Sequence, residues 1–292
     1  MKLTQLLLSA SLIAAAGTAQ ATSLLPCNLN DVKVTSVAQY SDTTAGATLT
    51  TIASNLSLNA AACAGAYSGN DGYYPQDNLG WQNDGLLNGG FQVSTGRIIF
   101  PSGAFITNAH PLSDLDNDGA ADDPGWIMLG KFDPSKGTFT PSAVGGDTSI
   151  VLSSFFTATV DSAGKGSWAL TPDANVAQRA STVLGKNYFD QFALVFKSAN
   201  AFAVYDFTAE QFGVTHPTAA MPVMNWAGTY DVTGTLRAGG QDGLKNPAGL
   251  SHITVWARDP AAVETSVPEP GTLALLGIAA IGALGTSRRR TR

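Results

Sequence analysis

The chain has 292 residues, with 16 Lys or Arg against 22 Asp or Glu and a formal net charge of −6 at pH 7. Between residues 22 and 266 the imbalance sharpens to 11 basic and 21 acidic side chains, a net of −10. With no basic stripe to neutralise phosphates, such a surface argues against nucleic acid or anionic lipid as partner. It leaves neutral glycans, divalent cations and other proteins.

In chain order, the first element is an export signal. Lys2 supplies a basic start, residues 6–16 a mostly apolar core, and Ala19-Gln20-Ala21 a small-x-small cleavage site, which predicts Sec-type removal of residues 1–21. Residues 22–258 then read as one ectodomain and 259–266 as a linker. Short apolar-alternating runs separated by Gly, Asn, Asp, Pro and Ser predict strands at 32–39, 91–100, 126–132, 150–160, 166–170, 189–196, 201–207, 228–236 and 252–258. The stretch 45–66 fits either strands or a short helix. With 31 glycines, 13% charged residues and no long helical period inside the domain, the expectation is all-β, a single β-sandwich of jelly-roll type.

Two strands around Ser198-Ala199-Asn200 predict a hairpin on a three-residue turn, with Phe192, Phe196, Phe202 and Tyr205 in the core. In the last strand His252, Thr254 and Trp256 share one face, and Ile253 and Val255 the other. Cys27 and Cys63 are the only cysteines, and in an oxidising compartment each has one obvious partner, so a Cys27–Cys63 disulfide is expected.

The sharpest chemical motif is DLDNDGAADD at 114–123. Asp114, Asp116 and Asp118 stand at positions 1, 3 and 5 of an EF-hand-like loop, followed by Gly119, the carbonyl of Ala120 and the carboxylate of Asp122. Position 12, where a bidentate Glu belongs, is Gly125. The run is thus either a weak Ca²⁺ site of extracellular type or a solvated acidic turn. Trp81, Trp126 and Trp226 each stand beside Gly or Asn and are candidates for stacking on sugar rings, with packing in the core as the alternative. His110, His216 and His252 lie in separate contexts, Glu210 is the single glutamate in 22–258, and no nucleophile elbow, zinc helix or phosphate loop occurs. No catalytic residue is assigned.

The C-terminal stretch carries the clearest address. Val267-Pro268-Glu269-Pro270 cannot continue a helix. It precedes the uncharged segment LALLGIAAIGAL at 273–284, shorter than the ~20 residues a helix needs to span a bilayer, and then Arg288, Arg289 and Arg290, which the positive-inside rule holds in the cytoplasm. This order resembles the PEP-CTERM sorting signal of Gram-negative bacteria. The resemblance implies a short membrane helix, recognition by an exosortase, removal of the tail and delivery to the cell surface or matrix, where such proteins accompany exopolysaccharide. An ordinary C-terminal anchor gives the same topology with the tail retained. The segments 63–71 and 250–255 and the 192–207 hairpin also resemble those of other PEP-CTERM surface proteins.

The expectation is therefore a noncatalytic exported surface or matrix protein, anchored transiently in the inner membrane and associated with extracellular polysaccharide, with Ca²⁺ as its one candidate cofactor. The alternative is a secreted polysaccharide hydrolase acting through aspartates not identified by spacing.

Overall fold

The computed structural model describes residues 26–93, 95–112, 125–146, 155–161, 164–184, 189–199, 201–212, 223–238, 246–247 and 249–258. In chain order its strands are β1 (Val32–Tyr40), β2 (Leu49–Ala53), β3 (Leu58–Asn59), β4 (Ala62–Ser68), β5 (Phe91–Gln92), β6 (Arg97–Ile98), β7 (Trp126–Asp133), β8 (Thr138–Pro141), β9 (Phe156–Ala158), β10 (Lys165–Leu170), β11 (Gln191–Ser198), β12 (Ala201–Thr208), β13 (Met224–Asp231), β14 (Arg237–Ala238), β15 (Asn246–Pro247) and β16 (Leu250–Arg258). Among the described residues one α-helix, α1 (Val176–Leu184), interrupts them. The fold is all-β, as expected. The predicted signal peptide, acidic run, linker and C-terminal segment lie outside the described residues. Among the described residues no helix is long and apolar enough to cross a membrane.

Two six-stranded antiparallel sheets carry the domain. The first runs β2-β1-β13-β10-β9 with β3 also on β1, and the second runs β4-β12-β11-β16-β7-β8. Val32, Val34, Trp168 and Tyr230 of the first sheet share one core with Phe192, Leu194, Phe196, Tyr205 and Val255 of the second, which makes the pair a sandwich. Strand alternation sends the intervening residues of the second sheet outward, yet Ala193, Val195, Phe202, Val204 and Trp256 are buried there too. Leu86, Leu87, Phe100 and Ala104 of the segment 69–112 cover them in a second core. At about 1.5–3 kcal/mol for each large apolar side chain buried, this irregular segment, here called the strap, is a third layer rather than a surface loop.

Several expectations shift for physical reasons. The predicted strand at 91–100 is only the two-rung ladder β5–β6, because the Gln92 side chain is drawn inward to the carbonyls of Ser68 and Asn70 while Ile99 and Phe100 turn into the second core. Residues 45–66 resolve as β2, β3 and most of β4. The strand placed at 228–236 runs instead from Met224 to Asp231, where the Asp231 carboxylate accepts from the amide and hydroxyl of Thr233 and turns the chain. In the region placed at 150–160 the described strand is Phe156–Ala158. Strand β8 and helix α1 had no sequence signal strong enough to assign. Ser198 pairs with Ala201, so the β11–β12 loop has two residues, not three.

The disulfide joins Cys27, just before β1 of the first sheet, to Cys63 on β4, the edge of the second, with Cα atoms 6.1 Å apart. Beside it the Cys27 amide donates to the Gly65 carbonyl at 2.9 Å. Asp31 adds a polar tie between the sheets, its Oδ2 accepting from Tyr205 at 2.7 Å and Thr235 at 2.6 Å. The Cys27→Ala/Cys63→Ala variant should lose about 4 kcal/mol of unfolding free energy in urea, the chain-entropy value for a loop this long. A loss below about 1 kcal/mol would mean that packing alone sets the distance between the sheets.

Candidate ligand-binding site

The strap is rich in polar residues, and the structure spends most of them on backbone. Asn78 and Asn88 extend β7 as strand surrogates. The Met128 amide donates to Asn78 Oδ1 at 2.7 Å while Asn78 Nδ2 donates to the carbonyls of Met128 at 2.8 Å and Ala143 at 2.7 Å. In the same way the Trp126 amide donates to Asn88 Oδ1 at 2.6 Å, and Asn88 Nδ2 donates to the carbonyls of Trp126 at 2.7 Å and Asp84 at 2.6 Å. A side-chain amide has the donor and acceptor pair of a peptide unit, so it completes the stretch of β7 that lies before the rungs shared with β8.

Asp84 organises the loop between them, its carboxylate accepting from the amides of Gln76 (2.9 Å), Leu79 (2.8 Å) and Gly80 (3.3 Å). Gly80 and Gly125 pack backbone on backbone. A Cβ on Gly125 would lie 2.2 Å from the Gly80 carbonyl oxygen and 2.5 Å from Asn88 Oδ1. This close approach explains why the twelfth position of the acidic run is glycine: the slot a glutamate would need is already filled.

The rigid loop holds Trp81 with 49% of its surface exposed. Gln82, next in the chain, lines a cleft of about 160 Å³ with Asn88, Pro101, Ser102, Gly103, Ile106, Leu112 and Gly125. Leu112 and Gly125 bracket residues 113–124, so both roots of the segment carrying Asp114, Asp116, Asp118, Ala120 and Asp122 meet the cleft, although that segment itself is outside the described residues. Among the described residues no three His, Cys, Asp or Glu side chains gather to hold an ion.

The other tryptophan candidates are placed differently. Trp126 is wholly buried with its indole N–H donating to the Ala104 carbonyl at 2.6 Å, which removes its face from any ligand. Trp226 is half-buried and packs on Phe192, ring centroids 5.2 Å apart. Of the three, Trp81 is the exposed one. Asn78, Asp84 and Asn88 are committed to the protein's own backbone, leaving Gln82 and Ser102 as the free polar side chains among the described residues of the cleft.

Charged clusters that sequence reasoning passed over pin the strap at both ends. At its start, His252 Nε2 lies 2.7 Å from Asp71 Oδ2, with buried Lys197 the cross-strand partner of His252. Burial pushes the Lys197 ammonium below its ordinary pKa, against the pull of Asp71. At its end, Arg258 donates to the carbonyls of His110 at 3.1 Å and Pro111 at 3.0 Å and pairs with Asp190, while His110 contacts Glu210 at 3.0 Å. His216 lies outside the described residues.

Residues 266–290 fit the family described as the PEP-CTERM protein-sorting motif. The chain carries a PEP-CTERM sorting signal. It is therefore an exported protein sorted by an exosortase to the cell envelope or surface. No curated protein matches the chain, and no solved structure does. The motif thus gives the address, and the site must be read from its own chemistry.

The asparagine surrogates give a direct test. Asn88→Ala would strand the buried amide and carbonyl of Trp126, at about 1–3 kcal/mol for each unsatisfied group. Urea unfolding should show a loss of about 2–4 kcal/mol; a change no larger than at an exposed asparagine would contradict the surrogate role.

Proposed function

We propose that this exported PEP-CTERM protein is a noncatalytic surface or matrix component that binds extracellular polysaccharide at the Trp81 loop. The observation that carries the reading is a half-exposed indole on a loop fixed by Asp84, Asn78 and the Gly80–Gly125 contact, beside a cleft lined by Gln82 and Ser102. A flat apolar ring held rigidly loses little entropy when a sugar stacks on it, and neighbouring amide and hydroxyl groups serve the sugar's hydroxyls. An acidic surface suits a neutral glycan better than a polyanion. In this reading the acidic run at 114–122 takes Ca²⁺ in the extracellular affinity range.

The test is retention of the purified protein on immobilised exopolysaccharide from the producing cells, in EDTA and in millimolar Ca²⁺. Trp81→Ala should lower affinity by about tenfold or more, the ~1.4 kcal/mol scale of one lost stacking contact, with no change in melting temperature. Retention unaffected by that substitution would remove Trp81 from the function, and release of reducing ends would replace binding with hydrolysis.

The sorting route proposed with it is Sec export, transient anchoring of the 273–284 segment in the inner membrane and exosortase processing. Pro268→Ala/Glu269→Ala should leave the full-length chain in the inner-membrane fraction, whereas unchanged processing and release would contradict sorting through this motif.

A further inference from the structure

Asp206 is an acid in a place built for a hydrocarbon. It stands on β12 among Phe202, Val204 and Phe207, is 2% exposed, and has Oδ2 3.4 Å from Gln191 Nε2 and no hydrogen-bond partner for Oδ1. Around it, Gln191 Oε1, Asp190 Oδ1 and Arg258 Nε are also buried without a partner. The groups that act on Asp206 come from each element packed there: Gln191 from β11 and Asp190 just before it, Arg258 from β16, and Glu210 from the 3₁₀ turn after β12, with His110 of the strap on Glu210. With all three carboxylates ionised, one guanidinium faces three negative charges. The cluster lies outside the cleft, so its chemistry is not spent on the ligand site.

We propose that this cluster is a proton-operated latch on the C-terminal end of the strap. With Asp206 protonated, Arg258 stays committed to Asp190 and to the carbonyls of His110 and Pro111. When Asp206 gives its proton to solvent, the guanidinium gains a second buried carboxylate to neutralise, and its hold on residues 110–112 is released. The side-chain amide of Gln191 suits the protonated state, since turning it over sets its oxygen where the Asp206 proton can be donated.

Burial first, and then the neighbouring charge of Asp190, hold the Asp206 carboxyl well above its ordinary pKa. A group whose folded-state pKa is raised contributes stability that is complete below its unfolded value, about 4, and that is lost as pH rises through the folded value. The strap should therefore loosen at its 110–112 end as pH rises, while the Asp71–His252 end holds.

The experiment is amide hydrogen exchange on the purified protein from about pH 5.5 to 9, corrected for intrinsic rates. The latch predicts that protection at residues 105–112 falls as pH rises toward the Asp206 titration, by up to about tenfold for each pH unit, and levels off above it, with residues 70–76 and β11 unchanged. Asp206→Asn, a neutral isostere of the acid, should abolish the pH dependence and keep the protected state at the alkaline end. A flat profile in the native protein, the same profile in Asp206→Asn, or loosening of both strap ends together would overturn the proposal. Carbon-13 NMR of the Asp206 carboxyl in the native protein gives a readout that needs no variant: a titration in the ordinary carboxylate range overturns the latch, and a raised one coinciding with the loss of protection supports it.

Discussion

A sandwich sheet ordinarily buries one face and wets the other, but the central strands β11, β12 and β16 are apolar on both. Phe192, Leu194 and Phe196 point to the first sheet while Ala193 and Val195 point away from it, and all are buried. Two-sided burial forces a third layer, and the strap supplies it. The loop order, the polar clusters and the exposed Trp81 follow from how an irregular 44-residue segment is made to lie on a flat apolar surface.

An irregular segment brings backbone groups that no ladder satisfies, and an unpaired buried amide or carbonyl costs about 1–3 kcal/mol. The strap answers with side chains. Asn78 and Asn88 complete β7, Asp84 gathers three amides of the 76–80 turn, and Arg258 takes two carbonyls at the far end. The charged groups at its two ends are the least replaceable part, because removing one partner leaves the other buried and unpaired. The same economy explains the site: where the polar side chains of 78–88 are used internally, Trp81 and Gln82 are left to face outward.

Much of this architecture was legible in the sequence, and the failures are instructive. The strands at 32–39, 126–132 and 252–258 were legible because β-branched and aromatic residues alternate between clear turn signals. FALVF and FAVYDF alternate poorly, and that imperfection was the sign of burial on both faces. The disulfide followed from counting two cysteines. The backbone roles of Asn78, Asp84 and Asn88 were not legible, because sequence shows polar residues near a tryptophan but not which backbone groups lack partners. Trp126 could not be told from Trp81 for the same reason: both adjoin glycine, and only the third layer covers one of them. Lys197, Asp206 and Arg258 interrupt apolar strands, and those interruptions were the available signal for the buried clusters. The sorting motif was fully legible, since its recognition depends on a linear order of residues rather than on packing.

Everything at the site depends on the strap being a fixed layer whose asparagines finish the edge of β7 and so hold Trp81 in place on an exported protein. Native-state hydrogen exchange resolved at the amides of Trp126 and Met128 tests it most directly, because both protons are donated to strap side chains rather than to a strand. If the strap is fixed, they exchange as slowly as the ladder amides of β11 and β16. Exchange at the rate of exposed loop amides would mean that the strap opens freely, and the rigid platform assigned to Trp81 would not exist.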